Sequence, residues 1–466
     1  MKRSIFSLIA SLFLLGLGWL LPHSVFNVSI ETDPTPASVL PADFPSKSLP
    51  ASTDAPEVSP VPTGIPTPEH DPYGELYFTV ITSKEYIPPA EPPAGIDEST
   101  ARLARLPGSC VVGLIECPEL ETVQTPFNMK DVFRADGGGL IWSSDGRYGL
   151  LVTHPEDELS TGKTKDELAQ LANQSPADFE ISPSTLYLFD AQLNTWQEVY
   201  SAERKFFLTP TWSPDGQWIA FQVLSSIWAF HPSQSDDGIY LVHPDGSGLQ
   251  QLSSVSASIH GWIGNSLLLQ QRQGLYPAPQ YTFELLALNG EIKPLFTSTR
   301  QAFYNLAPAG GVLLAVDALG EINNTPTKSV DVLALDGSVI QTFGSFSSYT
   351  SGIYPLAWSP DASLVAFANQ RRVYIGARAA QSAMPGGLSD FPVEGSVREV
   401  YIADDTYVEP SFWNFQFSND NRYLLMHVYD GIPHFVAVAL ETGQAIPLKI
   451  KGLTSSEQAG SFSWRP

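Results

Sequence analysis

The chain has 466 residues, and 25 Lys and Arg against 49 Asp and Glu give a net charge of −24. A surface this acidic, with no basic run longer than Arg371-Arg372, repels phosphate backbones and excludes nucleic acid as a partner. Hydrophobic residues at 43% and aromatics at 11% are ample for a large core. With only 16% charged residues, 35 Gly and 39 Pro, the composition favours strands and turns over helices.

Lys2 and Arg3 precede an apolar run from Ile5 to Leu21 that stops at Pro22, a positive segment followed by a hydrophobic one. Residues 1–22 are expected to be a cleaved signal peptide or a retained single-pass anchor that tethers the chain to the membrane through residues 5–21. No Ala-x-Ala pattern decides between the two. In both cases the rest of the chain is extracytoplasmic, whether secreted, periplasmic or membrane-anchored. Residues 31–72 hold eleven prolines among Ser, Thr, Ala and Asp, too little apolar area to offset ordering entropy. A disordered, extended linker is expected there, with a reach on the order of 100 Å at about 3.1 Å per residue. Pro88-Pro89 and Pro92-Pro93 interrupt the stretch that follows.

The two cysteines, Cys110 and Cys117, stand seven positions apart. In an oxidising compartment a disulfide is expected, on one geometric condition. A straight strand of that length separates Cα atoms by about 23 Å, whereas a bridge needs roughly 4.4–6.8 Å, so the chain must double back at Gly113. If Val111 to Ile115 runs straight, the thiols stay apart. Two thiols without nearby His do not make a metal site.

From residue 135 onward the chain repeats. Pro210-Thr-Trp212-Ser-Pro-Asp215-Gly216-Gln-Trp218-Ile219-Ala-Phe221 recurs as Leu356-Ala-Trp358-Ser-Pro-Asp361-Ala-Ser-Leu364-Val-Ala-Phe367, and as Ile141-Trp142-Ser-Ser-Asp145-Gly146-Arg-Tyr148. Weaker copies centre on Trp262, Leu306 and Phe417, and a last fragment ends in Trp464. A period of roughly 40–50 residues made of strands and turns is the signature of a propeller. Each unit reads as four strands: a short one ending at the Trp, a tight Ser-x-Asp-Gly turn, an apolar run, then a hairpin closed by Asp-Gly or Asn-Gly. Those glycines supply the positive φ of tight turns, so the repeated Asp and Gly are structural.

These residues resemble the TolB-type WD40-like propeller repeat, also found in relatives of prolyl oligopeptidase, over about residues 135–466. The resemblance implies an all-β propeller of four-stranded blades and is nearly silent about activity. A proline-rich spacer stands where TolB proteins carry an α/β domain. Six units run from about Leu140 to Ile450. Seven blades are expected if residues 73–130, with a good strand at Gly74–Ile81, join Ser461–Trp464 in a closing blade, so that the propeller spans 73–466; otherwise there are six.

Motifs of catalysis are missing: no Gly-x-Ser-x-Gly, no dinucleotide or phosphate loop and no His-Glu-x-x-His occurs, and the eight histidines are scattered singly. No catalytic residue, cofactor or metal is expected. Asp236-Asp237 and Asp404-Asp405 read as solvated turn residues. The connections between second and third strands are long, at 154–183, 224–237, 272–280 and 317–328, and 164–167 reads as a capping box opening a short helix. Their face is the expected recognition surface. Trp228, Phe230, His231 and Tyr276 on it would suit a glycan or an extended peptide if exposed, or cap the blades if buried. The reading is a non-enzymatic module binding a protein, peptide or glycan of the cell envelope. The alternative is an envelope glycan hydrolase or lyase whose carboxylates come from different blades.

Overall fold

A computed structural model describes residues 71–466 except 83–99, 128, 130–131, 133–138, 155–182, 204, 226–235, 274–279, 301, 309, 318–326, 348–352, 370, 379–392, 395–396, 404–410, 430–432, 454–456 and 466. The export segment, most of the proline-rich linker, the 164–167 capping box and Asp404-Asp405 lie outside the described residues. Among the described residues the only helix is Gly108–Val111, and none is long and apolar enough to cross a membrane.

The described residues form seven sheets, antiparallel but for one short parallel pairing, arranged as the blades of a propeller. Blade one comprises Ile141–Trp142, Tyr148–Thr153, Ser184–Asp190 and Thr195–Ala202; blade two comprises Phe206–Trp212, Ile219–Leu224, Gly238–Val242 and Gln250–Ser253. Blades three to six repeat this order from Ser258–Ile263 to Gln444–Pro447. Blade seven takes its first strand, Glu457–Arg465, from the C-terminal end and the other three, Glu75–Thr82, Thr100–Pro107 and Glu121–Val123, from before the repeats. Seven blades are therefore present, not six. The third strand, Thr100–Pro107, was not anticipated, because the prolines before it hid its continuity with Glu75–Thr82.

First strands of neighbouring blades approach one another, which places them at the axis. Fourth strands such as Gln444–Pro447 are mostly exposed at the rim. Second strands are buried almost throughout, as at Ile219–Leu224 and Tyr423–Tyr429, because a blade is covered on both faces by its neighbours. The core is accordingly seven layers, one between each pair of blades. Phe207, Ile219, Phe221 and Val223 fill the layer toward blade one with Leu150 and Leu186. Ala220 and Leu241, on the other side of the pleat, fill the layer toward blade three with Trp262 and Leu267.

The repeated motif holds this stack together. In blades one, two, five and six a buried serine donates to the aspartate two residues on: Ser143 to Asp145, Ser213 to Asp215, Ser359 to Asp361 and Ser418 to Asp420, at 2.5–2.7 Å. The same serine oxygen accepts the N–H five residues on, and the aspartate accepts the N–H two residues on. The tryptophans reach backward: the indole N–H of Trp212 donates to Ile141 O at 2.9 Å and that of Trp358 to Asn305 O at 3.2 Å, each in the preceding blade. Trp464 donates to Tyr73 O. Trp142 lies beneath the Arg465 guanidinium, and Trp262 is buried between blades two and three.

Because strands alternate in direction, first-to-second and third-to-fourth connections share one face, here the turn face. The other connections share the loop face. Blade five departs from the expected tidy turn face: residues 378–396 join its third and fourth strands, and Val393–Glu394 within them pairs in parallel with the outer strand of blade four, Val339–Ser347. In blade seven the same connection carries Gly108–Val111 and a Cys110–Cys117 disulfide, Cα atoms 4.9 Å apart, with Gly113 at φ +75° between them.

Candidate binding face at the junction of blades one and two

The loop-face ends of blades one and two converge on a buried polar cluster. Strand Tyr148–Thr153 delivers His154, strand Ser184–Asp190 begins with Ser184, and Lys205 directly precedes the first strand of blade two. Ser184 is fully buried and His154 is 3% exposed. His154 Nδ1 lies 2.7 Å from Ser184 Oγ, and Nε2 lies 3.1 Å from Phe207 O. A carbonyl only accepts, so Nε2 carries the hydrogen and Nδ1 faces the hydroxyl. Ser184 Oγ lies within hydrogen-bonding distance of both His154 Nδ1 and Lys205 O, and its single proton serves one of these two acceptors at a time. Burial pushes the His154 imidazole down to about 4, with the Phe207 carbonyl opposing, so it is neutral near pH 7.

A serine hydroxyl beside a neutral imidazole is the geometry of an activated nucleophile. Here the Ser184 side chain is fully buried, and the pair ties three strand ends together across two blades.

The Lys205 side chain completes the cluster. Its Nζ lies 2.7 Å from Asp236 Oδ2 and 3.3 Å from Asp237 Oδ1, and it donates to Ser225 Oγ at 2.6 Å, which donates in turn to Asp237 Oδ1 at 2.6 Å. The Lys205 hydrogen bond holds the Asp236 carboxyl below its usual range. The amine is ion-paired to both carboxylates. The Asp236-Asp237 pair is thus not simply solvated: Asp237 is 4% exposed and binds the lysine of its own blade. The same link recurs in blade four, where Arg300 Nη2 lies 2.7 Å from Asp331 Oδ2 and donates to Ser329 Oγ at 2.8 Å. Blade seven has it with the signs exchanged, Arg102 Nη2 lying 3.2 Å from Glu457 Oε1. A cation within two residues before an inner strand, at Lys205 and Arg300, is the available signal in the sequence, and it is not part of the Trp-Ser-x-Asp-Gly repeat.

The loops that leave this junction, 155–182 and 226–235, lie outside the described residues, and with them Trp228, Phe230 and His231. Tyr276 lies outside as well. Trp142, Asp145, Gly146, Trp212, Asp215, Gly216, Trp262, Trp358, Asp361 and Trp464 sit where first strands end on the turn face, away from the cluster. Among the described residues no group of three or more His, Cys, Asp or Glu could hold a metal ion.

No family model matches the chain, and no curated protein matches its sequence. Solved structures are similar to it in fold. The periplasmic gluconolactonase of Pseudomonas aeruginosa is 13% identical over 84% of this chain and 100% of that chain, with a TM-score of 0.46. TolB of Acinetobacter baumannii is 12% identical over 84% of this chain and 67% of that chain, with a TM-score of 0.40. A prolyl endopeptidase is 12% identical over 78% of this chain and 47% of that chain, with a TM-score of 0.45. At these identities the likeness is one of fold, which binding proteins and enzymes share.

Proposed function

We propose that this chain is an extracytoplasmic, non-enzymatic binding or scaffold module, a TolB-like propeller of WD40-like repeats that engages a protein, peptide or glycan of the cell envelope through its loop face. The observation that carries the reading is the cluster at the junction of blades one and two. Its one serine–histidine pair is sealed from solvent, and its lysine is committed to two carboxylates. Such a base fixes the ends of two long loops rather than presenting a reactive group, and recognition on loops held by a rigid scaffold is the usual division of labour.

The test is made with the full chain purified from its host. Fractionation and intact mass report whether residues 1–22 are retained and whether the protein lies outside the cytoplasm. Glycan and peptide arrays then report a ligand, whose binding is expected to fall at least tenfold in a Trp228→Ala/Phe230→Ala variant that keeps its melting temperature. Turnover of an envelope polysaccharide or peptide by the purified chain, abolished by a single loop-face carboxylate substitution, would overturn the reading in favour of an enzyme.

A further inference from the structure

Seven large hydrophobic residues are exposed among the described ones, and six share one location. Leu193, Leu249, Ile292 and Val339 lie at the third-to-fourth connections of blades one, two, three and four, and Leu114 and Ile115 lie at that of blade seven. Their exposure ranges from 38% to 67%. Only Ile402 lies elsewhere. Scattered surface aliphatics would fall on both faces and on every kind of connection, whereas these form an arc over five adjacent blades at the rim of the turn face. Turn chemistry does not account for them: the hairpins require Asp, Asn and Gly, as at Asn289-Gly290 and Asp336-Gly337, not leucine or isoleucine beside them. Part of the arc is also held stiffly. The disulfide closes the loop that presents Leu114 and Ile115, Ser109 N–H and Oγ donate to Asp71, and Glu116 pairs with Lys451 at 2.6 Å.

The charge of this face selects the occupant. On blades one to four it exposes Asp145, Asp215, Asp245, Glu291 and Asp336. Facing them is Lys293, since Arg147 is engaged with Asp190 at 2.9 Å. Serine hydroxyls hold Asp145, Asp215, Asp245 and Asp336 below the usual carboxylate range, so the face stays anionic through mild acid. We propose that the turn-face rim of blades seven and one to four docks a cationic protein face bearing aliphatic side chains. A second copy is disfavoured because each chain carries −24 and would bring acid against acid, and an anionic lipid surface is repelled for the same reason. This surface is opposite the loop face, and the inference stands whether or not that face binds its own ligand.

The experiment uses the full chain and two fluorescent probes of equal charge, a Leu/Lys amphipathic peptide and a Gly/Lys peptide, titrated by anisotropy. The Leu/Lys peptide is expected to bind at least about tenfold more tightly. The variant Leu193→Ser/Leu249→Ser/Ile292→Thr/Val339→Thr, all at exposed positions, is expected to erase that difference. Asp245→Asn/Asp336→Asn keeps the turn acceptors and is expected to weaken both probes and flatten their salt dependence. Equal affinity for the two probes, a difference that survives the fourfold variant, or hydrogen-exchange protection on the loop face would overturn the proposal. So would dimerisation by light scattering that the fourfold variant abolishes, which would make a second copy the occupant.

Discussion

Arg465 and Glu75, 390 residues apart in the chain, form an ion pair with Nη1 2.5 Å from Oε2. The pair sits at the end of the ladder in which Glu75 opposes Arg465 and Leu76 opposes Trp464. Arg465 also donates from Nε to Gly146 O at 2.7 Å, reaching into blade one. One side chain thus links the two halves of blade seven to each other and to the next blade, beside the strand pairing that closes the blade.

Glu75→Gln is expected to destabilise the propeller by about 2–3 kcal/mol, since Arg465 is 7% exposed and loses its counter-charge. Glu75 also faces Arg105 at 3.6 Å, so part of the loss is felt there. Urea unfolding at pH 7 measures it. A change below about 0.5 kcal/mol would show that the strand pairing alone closes the ring.

The Ser-x-Asp turns offer a gain as well as a loss. Ala362 holds φ +56° where Gly146 and Gly216 stand at +67° and +69° in the equivalent turns. An L-residue with a Cβ is strained there, and Ala362→Gly is expected to raise stability by about 0.5–1 kcal/mol, read from the denaturation midpoint. Ser359→Ala is expected to cost about 2 kcal/mol. Ser359 is fully buried, and the change leaves the Leu364 N–H without its 2.8 Å acceptor.

His154 makes stability depend on pH. Its folded-state value of about 4 lies below the ordinary 6.5, so as pH falls through that window the unfolded chain takes up a proton that the folded chain refuses. Its contribution is complete above about pH 6.5 and is lost progressively down to about pH 4. A shift of this size corresponds to about 3 kcal/mol. His260 is lowered by burial too and acts in the same direction. The turn aspartates act later: their lowered values stabilise above about pH 4 and fail only below it. Urea midpoints between pH 7 and pH 4.5 should therefore fall in the native chain and fall less in His154→Gln. Parallel slopes in the two proteins would assign the acid sensitivity elsewhere.

Reducing the disulfide, or replacing both cysteines by serine, is expected to cost about 2.5 kcal/mol from loop closure over so short a segment. Guanidinium unfolding with and without reductant checks the energy, and intact mass checks the bond. A loss much larger than this would mean that Gly108–Val111 and the strands beside it melt with the bridge.

The turns and the blade repeat were legible in the sequence because their causes are local. A serine bonding the aspartate two residues on, a glycine at positive φ and an apolar run buried on both faces leave their marks within a dozen residues and recur with each blade. The ring was therefore readable, and so were the first and second strands of its closing blade, whereas Thr100–Pro107 was hidden behind the prolines before it. The junction cluster was not. Lys205 meets Asp237 across a loop, Ser184 meets His154 across another, and Val393–Glu394 crosses to a neighbouring blade. None of these pairings repeats, so no period announces them. Which solitary polar residues are sealed and which aliphatics stay exposed was decided only when seven blades closed into a ring, because burial belongs to the packing of blades and not to any one of them.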